Sequence, residues 1–200
     1  MAEVEQHPFE PFLPENAKLL MLGSFPPQPK RWSMDFYYPN FSNDMWRIMG
    51  LIYYSDKNHF IVPGQKTFQK DLLISFLKEQ GIALYDSATA IRRLQDNASD
   101  MFLEVVTPTD IDALLSKLPH CLAIVTTGEK ATDTLCEKYG VERPKVGHYA
   151  TFCHQGRDLR LYRMPSSSRA YPLALDKKAA AYAQMLQELG MIVQSLGVRV

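Results

Sequence analysis

Four short predicted strands, the first three of them apolar runs, constrain the fold of this chain more than any other feature of its sequence. They are Lys18–Leu22, Ile82–Tyr85, Leu122–Thr126 and Leu159–Met164. Each has the length of a buried strand, and stretches with helical spacing separate them. Alternation of strands and helices is typical of a parallel sheet with helices on both faces. We therefore predict an α/β fold of three layers, α/β/α, around a central, mainly four-stranded parallel sheet.

The helices are predicted from apolar spacing and from glycine stop signals such as Gly81, Gly140 and Gly190. They cover residues 44–54, 67–80, 110–118, 127–139 and 175–189. Residues 88–100 are rich in polar side chains and are predicted as a polar loop or short helix, and residues 105–107 as an extended piece. Residues 149–153 are expected to pair with the last strand across a turn at residues 155–158.

The segments that follow the strands are expected to meet at one edge of the sheet. In open parallel sheets, ligands bind beyond the carboxyl ends of the strands. The segments at this edge are Gly23–Pro27, Asp86–Thr89, Thr127–Glu129 and Pro165–Arg169. Their convergence predicts a binding site more strongly than any single motif. Asp86 has a second interpretation, as a cap of a following helix.

Aromatic and short polar side chains are interleaved between Phe36 and Trp46, beyond the break at Gly23–Pro27 that ends the first strand. Flat apolar faces beside small polar groups suit a planar ligand with polar edges, such as a nucleobase. Two structural interpretations compete with this one. The aromatic residues, Trp46 above all, can simply be core, and Ser42 or Asn43 can simply cap the helix that begins near Asp44.

Hydroxyls, backbone amides and one guanidinium lie together in the loop Pro165–Arg169. These donors fit phosphate oxygens, with Arg169 supplying the charge, so the loop could grip a nucleic-acid backbone without a large basic patch. A solvated turn is the competing interpretation of the three serines.

Composition limits the possible functions only weakly. Two hundred residues with 46% hydrophobic content fit one domain, residues 1–200, with residues 1–16 as an extended lead-in that Pro8, Pro11 and Pro14 keep from being helical. The formal net charge is zero. This disfavours strong nonspecific binding of nucleic acid, which depends on phosphate neutralisation, although a local basic face is compatible with it.

The three cysteines, Cys121, Cys136 and Cys153, are too few and too widely spaced for a disulfide framework or a CxxC metal site. His148 and His154 lack a third ligand, so no metal and no other cofactor is expected. The acidic, proline-rich start does not resemble a signal peptide, and no apolar run reaches the length of a membrane span. We therefore expect a cytoplasmic protein.

The segments Gly23–Pro26, Tyr37–Trp46 and Met164–Arg169 resemble the uracil-DNA glycosylase superfamily. The resemblance is closest to its hypoxanthine-DNA glycosylase-like and mismatch-specific uracil/thymine-DNA glycosylase branches. Residues 81–86 and 127–135 also match those branches in position and character, so the resemblance extends from about residue 19 to residue 189. It implies a uracil-DNA glycosylase-like fold and a reaction on a base flipped out of DNA.

The resemblance also implies a role for each matched residue. Tyr38 would stack on the flipped base, Asn43 would hold the attacking water, and Asp86 would read the base or activate that water. The loop at residues 165–169 would hold the DNA backbone and press into the minor groove. The full implied site comprises base-binding Gly23, Ser24, Phe25, Pro26 and Tyr38, catalytic Asn43 and Asp86, and DNA-backbone-binding Pro165, Ser166, Ser167, Ser168 and Arg169.

Three differences separate the chain from other branches. The mismatch-specific branch carries a water-orienting Asn before the proline of the first loop, where this chain has Phe25. The four cysteines of the iron–sulfur branches are absent. Ser166–Ser168 occupy the last loop, where other branches use a histidine.

The first functional hypothesis is a monofunctional, metal-free DNA glycosylase of base-excision repair. It would be a monomer acting on double-stranded DNA with a damaged or mismatched base, would remove uracil or hypoxanthine, and would work in the cytoplasm at the bacterial nucleoid. The alternative is a catalytically inactive nucleic-acid-binding module of the same fold, with Phe25 in place of the water-holding amide. A third hypothesis is a small-molecule enzyme of another α/β type.

Overall fold

A computed structural model describes residues 3–95 and 102–193 of the chain. Eight strands, five α-helices and one short 3-10 helix, Pro29–Arg31, make up this part of the chain. The strands are β1 (Val4–Gln6), β2 (Leu19–Gly23), β3 (Ile82–Asp86), β4 (Ala88–Arg93), β5 (Leu103–Pro108), β6 (Ala123–Thr126), β7 (His148–His154) and β8 (Arg157–Arg163). The helices are α1 (Met45–Tyr54), α2 (Lys70–Gln80), α3 (Ile111–Ser116), α4 (Glu129–Tyr139) and α5 (Leu175–Glu188).

The central sheet has five strands in the order β3-β2-β6-β8-β7. The first four are parallel, and β7 runs antiparallel to β8 at the edge. All five residues of β2 and all five of β3 are buried, so both faces of these two strands are covered. The predicted α/β class with a mainly parallel sheet is therefore confirmed, although the sheet has five strands in total.

The expected hairpin at the sheet edge is also present. β7 and β8 join through Gln155 and Gly156, whose φ angles are 49° and 77°. Two consecutive residues with positive φ match the twist of an antiparallel pair, and glycine adopts such a φ at little steric cost.

A second, antiparallel sheet has the order β1-β4-β5 and corrects one prediction. Residues 88–100 were predicted as a polar loop or short helix, but Ala88–Arg93 form a strand between two partners. Pairing on both sides overrides the weak strand preference of alanine and arginine. Residues 96–100 of that prediction lie outside the described residues.

The helices form two contacting groups. α1 packs against α5. In the second group, Asp112 of α3 accepts hydrogen bonds from Lys138 and Tyr139 of α4 at 2.7 and 3.0 Å. α2 begins at Lys70 rather than near Thr67 because Phe68 first pairs with Ile61 in a short β-bridge.

The lead-in is extended and pairs with two strands of the body. β1 pairs with β4, and Phe12 pairs with Leu84 of β3 in an isolated bridge. The His7 amide donates to the Thr89 carbonyl at 2.8 Å. No helix among the described residues has the length and apolarity needed to cross a membrane.

Candidate active site

The carboxyl ends of the parallel strands border a cavity of about 160 Å³. Gly23 at the end of β2 is in register with Asp86 at the end of β3, and Thr127 directly follows β6. The convergence predicted from the sequence is thus found in the structure. The lining residues are Gly23, Ser24, Phe25, Pro26, Pro27, Tyr37, Tyr38, Pro39, Asn40, Asn43, Asp86, Thr127, Ser166, Ser167 and Ser168.

Asp86 lies against the backbone of Gly23 on one side of this cavity. A Cβ atom on Gly23 would lie only 2.5 Å from Asp86 Oδ1, so the carboxylate occupies the space that the missing side chain leaves. Ser87 leads directly into β4, which rules out the interpretation of Asp86 as the cap of a following helix. The carboxylate is therefore placed at the cavity by sheet register and by glycine.

His7 of the lead-in holds the other oxygen of this carboxylate. Its Nε2 lies 2.8 Å from Asp86 Oδ2, and the imidazole is only 3% exposed. Aromatic rings surround it, with centroids at 4.6 Å for Tyr85, 5.2 Å for Phe25 and 6.2 Å for Tyr37. Burial, followed by the negative charge of Asp86, raises the pKa of Tyr37 far above its usual range, so this phenol stays neutral.

Arg93 connects the lead-in to the first loop. Its Nε and Nη2 donate to the two carboxylate oxygens of Glu5 at 3.1 and 3.0 Å, and Nη2 also donates to the Pro26 carbonyl at 3.1 Å. Bidentate arginine–carboxylate pairs fix geometry as well as charge. Arg93 is only 9% exposed, so this pair is largely shielded from solvent.

Tyr38 forms a wall of the cavity in an unusual backbone conformation. Its φ is 51°, in the left-handed region that bulky residues rarely adopt. Its hydroxyl lies 3.5 Å from Thr127 Oγ1, and its ring meets Trp46 edge-on at 5.7 Å. Trp46 itself is 1% exposed and donates to the Tyr37 carbonyl, which identifies it as a packing residue.

Three hydrogen bonds fix Asn43 at the cavity. Its amide nitrogen donates to the Asn40 carbonyl at 2.8 Å, and its own carbonyl accepts from Arg47 at 3.0 Å. The side-chain Oδ1 accepts from the amide of Met45, the first residue of α1, at 2.9 Å. Asn43 therefore accepts a hydrogen bond from the first residue of the helix and also lines the cavity. An amide oxygen has two acceptor sites, so this bond leaves one Oδ1 site and the Nδ2 group able to bind a ligand or water.

The serine loop, Pro165–Arg169, is hydrogen-bonded to Asp44, which directly precedes α1, and to Lys178 of α5. The amide of Asp44 donates to the Ser167 carbonyl at 2.8 Å. Lys178 Nζ lies 2.8 Å from the Ser168 carbonyl and 3.1 Å from Asp44 Oδ2. Lys178 is 1% and Asp44 6% exposed, so their ion pair is buried. It fixes the position of the loop relative to the helix that follows Asn43.

Not every predicted residue of the serine loop lines the cavity. Ser166, Ser167 and Ser168 do, whereas Pro165 and Arg169 are not among the lining residues. The Pro165 carbonyl accepts from the buried hydroxyl of Tyr182 at 3.0 Å. Arg169 has a 57% exposed side chain and lies 3.4 Å from Asp44 Oδ1.

Sequence reasoning missed His7 and Lys178. His7 stands between Gln6 and Pro8 in a segment without a motif. Lys178 gives a usable signal, because helical spacing places it on the same face of α5 as Tyr182 and Met185, which are buried. A lysine on such a face needs a buried carboxylate as partner.

The described residues contain no cluster of three or more histidine, cysteine or acidic side chains that could hold a metal. The cavity instead presents a carboxylate, a carboxamide, hydroxyls and aromatic rings. Such groups can stack on a planar ligand, hydrogen-bond its edges and hold a water molecule.

Comparisons with known proteins bear on the fold. No family model and no curated protein matches the chain. Among solved structures, it is similar to the solution NMR structure of a candidate uracil DNA glycosylase from Methanosarcina acetivorans. The TM-score is 0.60 at 21% sequence identity, and the match covers 94% of this chain and 99% of that chain. The chain therefore has a uracil-DNA glycosylase-like fold.

Proposed function

We propose that this protein is a monofunctional DNA glycosylase that removes a deaminated base, uracil or hypoxanthine, from damaged or mismatched double-stranded DNA. One observation carries the proposal: Tyr38, Asn43, Asp86 and the serines of the serine loop, which come from distant parts of the chain, line one cavity. The similarity to a candidate uracil DNA glycosylase supports it. The finer assignments belong to the same proposal: the hypoxanthine-like branch, one three-layer domain, a monomer, and base-excision repair in the cytoplasm.

Recognition begins with extrusion of the damaged base into the cavity. Extrusion costs a few kcal/mol and is easiest at a mismatch or lesion. Stacking on Tyr38 offsets part of this cost, by roughly 1–3 kcal/mol per base in single-strand binders. The segment Gly23–Pro26 borders the extruded base.

Cleavage of the N-glycosidic bond builds positive charge on the sugar and negative charge on the leaving base. Asn43 holds a water molecule for attack on the sugar, and Asp86 accepts its proton. The bond between Asn43 Oδ1 and Met45 holds the carboxamide in one orientation before DNA arrives. The base leaves with the electrons of the broken bond, and hydrogen-bond donors near Gly23 and Ser24 stabilise its charge.

The serine loop contacts the DNA backbone. Ser168 and Arg169 are exposed, and Ser166 and Ser167 line the cavity beside them. Hydroxyls and a guanidinium bind phosphate oxygens without a large basic surface, which agrees with the net charge of zero.

The test is a panel of duplexes, each with one uracil, hypoxanthine or xanthine, scored for abasic sites under single-turnover conditions. Asn43→Ala is expected to slow base release by about 100-fold or more, the usual scale for a lost acid–base or water-positioning group. Ser167→Ala is expected to weaken release less. Asn58→Ala and Ser116→Ala, in exposed positions, are the matched controls. Absence of release from every duplex by the intact protein would refute the enzymatic proposal.

A specific observation favours a second candidate, an inactive DNA-binding module of the same fold. Phe25 lines the cavity at the position where a related branch carries a water-holding amide, and an aromatic ring cannot hold water in that way. Tight binding of lesion-containing duplexes without abasic-site formation would support this candidate over the first.

A further inference from the structure

We propose that His7 is a positioning residue that fixes the Asp86 carboxylate for base excision. The proposal rests on the function proposed above and adds a residue that lies outside the cavity lining. It assigns a role in the reaction to the lead-in, a segment that the sequence marks only as an extended start of the chain.

The hydrogen-bond pattern defines what His7 does. Nδ1 of His7 lies 3.1 Å from the Phe9 amide and 2.9 Å from the Phe9 carbonyl, so it can accept from the first or donate to the second. The Asp86 carboxylate can only accept, so the proton of the neutral ring lies on Nε2. Nε2–H then donates to Asp86 Oδ2 at 2.8 Å. In the doubly protonated ring, Nδ1–H would donate to the Phe9 carbonyl at 2.9 Å. His7 therefore donates to Asp86 in either charge state.

The two oxygens of Asp86 are thereby distinguished. Oδ2 is held by His7, whereas Oδ1 lies against the Cα of Gly23, which also lines the cavity. A carboxylate held at one oxygen cannot rotate freely about its Cβ–Cγ bond. The second oxygen is thus presented in one orientation, which is the requirement for a group that must meet a proton in a fixed place.

The surroundings of His7 lock the ring in place. Its amide is bonded to Thr89 of β4, and Tyr85 and Phe25 enclose the imidazole edge-on. Two residues earlier, Glu5 is clamped by Arg93, which also binds the Pro26 carbonyl. The lead-in is therefore bound both to the strand that carries Arg93 and to the loop that borders the proposed base site.

The substitutions His7→Gln and His7→Asn separate positioning from packing. Both are carboxamides, but the longer Gln side chain can place its Nε2 near the position of the imidazole Nε2, whereas Asn is too short to reach Asp86. His120→Asn is the matched control, since His120 is an exposed histidine just before β6, at the opposite end of the strands.

Each variant is assayed for single-turnover base release at saturating enzyme, for DNA affinity and for thermal unfolding. We expect His7→Asn to slow release about 10- to 100-fold, the range for a lost hydrogen bond to a charged group, with little change in DNA affinity. His7→Gln should recover most of this loss. In an Asp86→Asn background, His7→Asn should add little, because its effect passes through Asp86.

Several results would overturn the inference. One is a His7→Asn rate equal to that of His120→Asn. A second is a rate of base release in His7→Gln as low as in His7→Asn, although the two variants are equally stable. A third is full additivity of the rate losses of His7→Asn and Asp86→Asn. If the intact protein releases no base from any duplex, the proposed function fails as well. If it is active and His7→Asn is harmless, only the role of His7 is refuted.

Discussion

Replacement of Lys178 by methionine tests the buried ion pair behind the serine loop. Methionine preserves most of the volume but leaves Asp44, 6% exposed, without the ammonium at 3.1 Å, and leaves the Ser168 carbonyl without its donor. Removal of one partner of a buried ion pair typically costs about 3–5 kcal/mol. Arg169 remains 3.4 Å from Asp44 Oδ1 but is mostly exposed, so we expect the low end of that range, about 3 kcal/mol.

The expected loss can be measured by urea and thermal unfolding. For a domain of this size, about 3 kcal/mol corresponds to a melting temperature lowered by roughly 6–12 °C. Lys177→Met, at the neighbouring exposed position of α5, is the control and should change stability by less than about 0.5 kcal/mol. Addition of Asp44→Asn to Lys178→Met should recover part of the loss, because it removes the unpaired buried charge.

An equal effect of Lys178→Met and Lys177→Met would refute the reasoning. It would mean that water or Arg169 stabilises the Asp44 carboxylate as well as the buried lysine does. Failure of Asp44→Asn to recover any stability would show that the loss comes from packing or from the unpaired Ser168 carbonyl, and not from the charge of Asp44.

Two further predictions concern the cavity and the pH dependence of stability. Gly23→Ala would place a Cβ 2.5 Å from Asp86 Oδ1, so we expect a loss of about 1–3 kcal/mol in urea unfolding and slower base release; unchanged values would contradict the packing described. Burial raises the pKa of Cys121 to about 11 and that of Tyr53 and Tyr162 to about 12, with a hydrogen bond to a carboxylate adding to the effect at Tyr162. The unfolded chain releases the thiol and phenol protons near pH 9 and 10. The contribution of these groups to the free energy of unfolding is therefore complete below about pH 9 and is lost as the pH rises towards 12. Constant stability in urea titrations from pH 8 to 11 would contradict this expectation.

The strands and the edge where they end could be predicted because their signals are local. The runs before Gly23 and Asp86 are apolar, and the order of elements fixes which strand ends meet. The strand Ala88–Arg93 could not be predicted in this way. Alanine and arginine favour strands weakly, and β4 forms because β1 and β5 flank it.

The contacts that hold the site residues in position could not be predicted from the sequence. His7 lies 79 residues from Asp86, and Lys178 lies 134 residues from Asp44. Neither pair belongs to a motif with fixed spacing, and each depends on how separate elements pack. Asn43 shows the intermediate case, because the sequence offered helix capping and a role in the site as alternatives. In the structure its side chain lines the cavity and accepts from the amide of Met45, while Asp44 takes the N-cap position.

The walls of the cavity come from the loop after the first strand and from segments as late as the serine loop. Contacts between residues so far apart in sequence form only after most of the chain has been ordered, and their entropy cost slows folding. A fragment lacking the loop after the first strand or the serine loop would therefore lose a wall of the cavity. Occupancy of the cavity by a small fluorescent ligand would consequently report the completion of folding, and should rise in step with the last kinetic phase rather than with early helix formation.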